Sequence, residues 1–111
     1  MVAEQFAFLL DVCKLVAYAV VLGFTITFGE AFRTLEQQAI YVQTGRSRTL
    51  DSYHLKRLAI DLNFFRQGKL CYDKAILQIL GDYWESLSPK NSWGGNWNSF
   101  KDLPHFELED T

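Results

Sequence analysis

Residues 52–61 read SYHLKRLAID, and residues 102–108 read DLPHFEL. Between them these stretches hold both histidines of the chain, His54 and His105, and each imidazole lies near carboxylates: Asp61 in the first, Asp102 and Glu107 in the second. Histidine together with aspartate is a donor set that suits zinc, whose catalytic sites take three protein ligands and keep a fourth position for water. His54, Asp61 and His105 would supply such a set. The separation of the first two constrains the backbone. Seven residues of helix rise about 10.5 Å, too far for two bonds of about 2 Å to one ion. On an unbroken strand an odd separation sends the side chains to opposite faces. The pair can share an ion only if the chain bends or bulges between them, and Lys56 and Arg57 are the expected place.

In the second stretch His105 and Glu107 fall on one strand face, while Asp102 precedes the histidine by three residues, before Pro104. A carboxylate so placed can approach an attacking water without binding the metal, take its proton as general base, and return it to a leaving amine. Spacing does not choose between Asp102 and Glu107 for that role.

Outward from these motifs, LAIDLNFF alternates with period two, with Leu58, Ile60, Leu62 and Phe64 facing one way and Ala59, Asp61 and Asn63 the other, so a strand is predicted. RQGK reads as a turn into a short partner strand, LCY. FTITF at 24–28 and HFEL at 105–108 read as two further strands. TLEQ at 34–37 is a capping box that opens a helix ending at Thr44, with Gly45 as its stop. RSRTLDS is a polar loop. Asp73 can cap a helix with an apolar face of Ile76, Ile79, Leu80, Tyr83, Trp84 and Leu87, and NSWGGNWNS beyond Pro89 reads as loop. The sum is an α+β fold, with about three helices packed on a small, mainly antiparallel sheet.

The N-terminal run FAFLLDVCKLVAYAVVLGFTITF is interrupted by Asp11 and Lys14, leaving less uncharged length than the ~20 residues a spanning helix needs. Glu4 stands where a signal peptide would carry basic residues. Glu4, Asp11, Lys14 and Tyr18 form one narrow polar stripe on an otherwise apolar helix, which is expected to be largely buried and to end at Gly23. No stable membrane insertion is expected. At 111 residues and 12.8 kDa the chain makes one domain, residues 1–111. A net charge of −2 without a basic block removes the electrostatic case for nucleic acid. Cys13 and Cys71 cannot build a disulfide framework and are expected to be reduced and mostly buried.

SYHLKRLAID resembles the SxHxxGxAxD signature of the zinc D-Ala-D-Ala carboxypeptidase and L-alanyl-D-glutamate endopeptidase family, whose zinc-site fold is shared with the N-terminal domain of hedgehog. Ser52, His54, Ala59 and Asp61 match, and DLPHFEL resembles the later motif through Asp102 and His105. The resemblance also takes in FRTLEQQAIYVQTGRS and SWGGNW, so it covers roughly residues 24–108, preceded by the N-terminal helix. It departs at Arg57, where the signature has glycine, and at Asp102, where the family often has glutamate. The resemblance implies that His54, Asp61 and His105 bind Zn2+ and that Asp102 is the base. Arg33 would stabilise the oxyanion or hold a substrate carboxylate, and Gln38 and Ser52 would support a ligand or orient substrate. Trp93 and Trp97 would either wall the cleft or pack in the core.

The implied function is a peptidase that cuts an amide of peptidoglycan stem peptides, with the L-alanyl-D-glutamate endopeptidase of a phage endolysin first. A D-Ala-D-Ala carboxypeptidase, a non-catalytic wall-binding module of the same fold, and a small membrane protein of a lysis cassette are the alternatives. A monomer is expected, made in the bacterial cytoplasm without a signal peptide and acting at the wall after release.

Overall fold

The computed structural model describes residues 1–45, 53–99 and 101–109. Its elements in chain order are α1 (Val2–Val21), β1 (Thr25–Phe28), α2 (Leu35–Gln43), a 3-10 turn (Tyr53–Lys56), β2 (Ala59–Arg66), β3 (Lys69–Leu70), α3 (Lys74–Leu87), β4 (Asn91–Trp93), a second 3-10 turn (Gly94–Asn96) and β5 (His105–Leu108). The strands form one sheet in the order β1-β2-β5-β4, with β3 also paired to β2, and every pairing is antiparallel. The predicted α+β fold is the fold observed. The polar stretch 46–52, with Ser52, lies outside the described residues.

The local signals act as the sequence suggests at most boundaries. The Thr34 side chain accepts a hydrogen bond from the Gln37 amide, and Asp73 accepts one from the Ala75 amide, so each helix start satisfies an otherwise orphaned N–H. Gln67 and Gly68 both have positive φ, 52° and 76°, which gives β2 and β3 the tight turn whose twist suits a two-residue hairpin.

Alternation along β2 divides the sheet into two faces. Ile60, Leu62 and Phe64 are buried with Phe106 and Leu108 of β5, beneath Phe8, Val12, Leu15 and Ala19 of α1 and Leu77, Leu80 and Trp84 of α3. Trp84 meets both Phe8 and Phe106 edge-on, at centroid distances of 5.6 and 5.8 Å. Asp61, His105 and Glu107 lie on the other face.

Four expectations need correcting. The apolar face of α3 is rotated: Leu77, Leu80, Gly81 and Trp84 are buried, whereas Ile76 and Ile79 are exposed. Gly81 sets that rotation, because the Trp93 ring lies where its side chain would be. NSW at 91–93 is a strand, β4, which pairs with β5 and carries Trp93 into the core. Helix α1 is buried on one side only. Phe6, Leu9, Leu10, Val20 and Val21 are exposed because its packing partners, α3 and β1, cover a single face. The polar stripe of α1 borders α3 and β4: Asp11 accepts from Asn91 Nδ2 at 3.1 Å, and Tyr18 stacks on Tyr83 at 4.1 Å between centroids. Among the described residues no helix is long and apolar enough to cross a membrane. Both cysteines are free, and Cys13 is exposed rather than buried.

A Cβ added at Gly81 would stand 2.0 Å from Trp93 Cε3. Overpacking of this kind costs roughly 1–3 kcal/mol. Gly81→Ala should therefore lower the urea midpoint accordingly without changing the slope of the transition, as an equilibrium denaturation series would show.

Candidate metal centre

The site begins with strand register. Asp61 of β2 stands directly opposite His105 of β5, so both side chains leave the same face of the sheet. His54 reaches them because the chain bends between it and Asp61. The 3-10 turn Tyr53–Lys56 ends at Arg57, which has φ 58°. The bend required by spacing is thus present, and the residue at the signature's glycine position adopts the left-handed conformation that glycine takes without steric cost. The Arg57 guanidinium packs over the Phe32 ring at 4.1 Å, and Gln5 of α1 donates to the Lys56 carbonyl at 3.0 Å.

Segment 29–33 then straps the donors down. Gly29 N–H donates to the Asp61 carbonyl (2.8 Å) and Asp61 N–H to the Glu30 carbonyl (2.7 Å). His54 Nδ1–H donates to the Ala31 carbonyl (2.9 Å), and Arg33 N–H donates to the His54 carbonyl (3.3 Å). Glycine is required at 29, since a Cβ there would come within 2.8 Å of the Asp61 oxygen.

The donor geometry fits a metal. Asp61 Oδ1 lies 3.4 Å from His54 Nε2 and 3.1 Å from His105 Nδ1, and one donor atom from each of the three residues lies within 4.8 Å of the others. Tetrahedral bonds of about 2 Å separate donors by about 3.3 Å. Because a carbonyl only accepts, the Ala31 contact fixes the proton of His54 on Nδ1 and turns Nε2 towards the site. His105 is oriented from behind as well: Nε2 lies 2.7 Å from Glu107 Oε1, leaving Nδ1 for the site. In the metal-free protein burial opposes a charge on His105. Hydrogen bonds to Asp61 and Glu107 outweigh that effect and raise its pKa to about 9. Burial likewise works against ionised Asp61, and hydrogen bonds from His105 and His54 overcome it, holding the carboxyl well below its ordinary range.

Asp102 sits at the rim, with Oδ2 4.0 Å from His105 Nδ1. Burial, reinforced by the negative charge of Asp61, pushes its pKa up. A turn places it: Asp102 N–H donates to the Gly94 carbonyl and its own carbonyl accepts from His105 N–H, both at 3.1 Å. Arg33 is buried and its charge is felt at Asp102. Gln38 is fully buried and accepts a hydrogen bond from Arg33, so it supports that residue. Trp93 is not a cleft wall. It is sealed in the core against Gly81 and Gly95, where its indole donates to the Leu103 carbonyl at 2.8 Å. Trp97, half-buried, lies against His105 at 5.1 Å between centroids.

A family model described as D-alanyl-D-alanine carboxypeptidase matches residues 45–108, more than half of the chain. The chain belongs to that family. It is 35% identical over 88 residues to the L-alanyl-D-glutamate peptidase of Listeria phage A118, an alignment that takes in 78% of this chain and 31% of the phage protein. The chain therefore spans about a third of the length of that curated relative. The crystal structure of the Serratia marcescens L-Ala D-Glu endopeptidase ChiX superposes with a TM-score of 0.71 at 25% identity, over 89% of this chain and 78% of that one.

Two residues that buttress this family member's site were not singled out for that task by the sequence. Glu107 shares the strand face of His105, as their two-residue spacing predicts, but only the 2.7 Å contact to Nε2 makes it the partner of that ring. Glu30 carries no motif of its own, and its contacts follow from the strap. Removing a carboxylate that orients a ligand histidine typically weakens metal binding 10–100-fold. Glu107→Ala should show a loss of about that size in chelator competition against zinc, with the far-ultraviolet circular dichroism unchanged.

Proposed function

We propose that this chain is a zinc-dependent peptidase that hydrolyses the L-alanyl-D-glutamate amide of peptidoglycan stem peptides, within a single domain over residues 1–111 that acts at the bacterial wall. The observation that carries the proposal is the convergence of His54, Asp61 and His105 on one point, with Asp102 beside them and Arg33 within electrostatic reach. The names of the phage and Serratia relatives support the choice of bond.

In this reading His54 Nε2, Asp61 and His105 Nδ1 would hold a zinc ion, which would supply the Lewis acidity that lowers the pKa of water and polarises a carbonyl. Asp102 is the general base. Its raised pKa brings it nearer the working pH, where a carboxylate can both accept the proton of the attacking water and return it to the leaving nitrogen. Glu107 is already committed to His105, which leaves the proton transfer to Asp102. Arg33 donates to the oxyanion that develops on the carbonyl, where a fixed donor in a partly desolvated site has most effect. Glu30 compensates the Arg33 charge, which suits Arg33 to a developing oxyanion more than to the permanent charge of a terminal carboxylate. Trp97 covers one side of His105 and limits water there.

Digestion of purified peptidoglycan should expose new D-glutamyl amino termini. Release of free D-alanine in their place would assign the carboxypeptidase activity, and no new ends at all would point to a wall-binding module. Asp102→Asn should keep its zinc, measured by atomic absorption, and lose at least about 100-fold in kcat, the low end for a missing general base.

A further inference from the structure

Glu30 divides its carboxylate between two partners. Oε1 takes the Nε–H of Arg33, and Oε2 takes the Tyr41 hydroxyl at 2.7 Å. Arg33 also donates from Nη1 to Gln38 Oε1, and its guanidinium lies over the Tyr41 ring, 4.7 Å from the centroid. Arg33 is only 9% exposed and Gln38 0%, while Glu30 and Tyr41 are part-buried, so the guanidinium is buried within a cluster whose carboxylate stands at its edge. Burying a guanidinium is costly unless a counter-charge with good geometry accompanies it. Glu30 supplies that charge from the same strap whose backbone carbonyl accepts the Asp61 N–H. Arginine has a long side chain with several rotatable bonds, and an oxyanion gains from it only if the donors are already aimed. In this cluster the aim is set by a carboxylate on one edge, an amide on another and an aromatic ring on the face.

We propose that Glu30, braced by Tyr41, is a positioning residue for Arg33: it fixes the plane of the guanidinium and balances its charge so that Arg33 can meet the reacting carbonyl. The proposal rests on the peptidase reading above, and its test has an arm independent of turnover. In the metal-free 111-residue chain, the Arg33 Nε–H, identified by its disappearance in Arg33→Lys, should exchange slowly with water in 15N-resolved spectra. In Glu30→Gln that exchange should quicken at least about tenfold, because a charged acceptor holds the proton more strongly than a neutral one. The zinc-loaded variant should lose about tenfold or more in kcat on stem peptides while KM stays within about threefold, the mark of an interaction made in the transition state. Its zinc content should match the wild type. Tyr41→Phe, which leaves the ion pair intact and removes only its brace, should move both quantities in the same direction by less, and it carries the test should Glu30→Gln fail to fold. Unchanged exchange and kcat in the variants would overturn the proposal, as would loss of zinc or a rise in KM matching the fall in kcat. Should the wild type cleave no stem peptide, the peptidase reading falls, and the exchange arm still decides whether Glu30 holds Arg33.

Discussion

Asp61 and His105 face each other across two antiparallel strands, and the rest of the site is arranged around that pair. The pairing is set by a core on the opposite face of the sheet. Ile60, Leu62 and Phe64 on β2 and Phe106 and Leu108 on β5 must all face the helices, and this forces the polar residues between them onto the opposite side. Sliding β2 by a single residue would bury Asp61 in hydrocarbon, and sliding β5 would turn His105 away. The hydrophobic core thus acts on the candidate metal centre through register, with Trp84 and Trp93 packed against Phe106 to hold it.

The second support is the strap at 29–33. It continues from β1, satisfies backbone groups of both Asp61 and His54, and brings Glu30 and Arg33 alongside. Its close approach depends on Gly29, so a small residue outside the histidine motifs controls how near the strap lies to Asp61. Electrostatics then follow from packing. Asp61 is ionised in a half-buried place because two imidazoles attend it, and its charge in turn discourages ionisation of Asp102.

Much of this was legible in the sequence, because the features in question are local or periodic. Alternation along 58–64 identified β2 and its core face. Thr34 and Asp73 announced their helices, and the separation of His54 from Asp61 demanded a bend. What was not legible depends on contacts between distant segments. Ile76 and Leu77, or Ile79 and Leu80, are adjacent apolar pairs that periodicity cannot separate, and the choice is made by the Trp93 ring resting on Gly81. The three residues of β4 are too few to show alternation. The exposed half of α1 was unforeseeable for the same reason: composition says how much of a helix is apolar, not how many neighbours will come to cover it. The two-residue spacing puts Glu107 beside His105 but does not say that it buttresses the ring, and Glu30 beside Arg33 follows from the strap, which no motif announces.

Arg57 shows what the glycine of the signature stands for. Here the position takes a left-handed backbone angle, which glycine adopts without steric cost, with a large cationic side chain that rests upon Phe32. A pattern that insists on glycine at this point would pass over a chain such as this one, although its two histidines and aspartate converge. Relatives would be gathered more completely by a profile that scores the turn and leaves the residue type free.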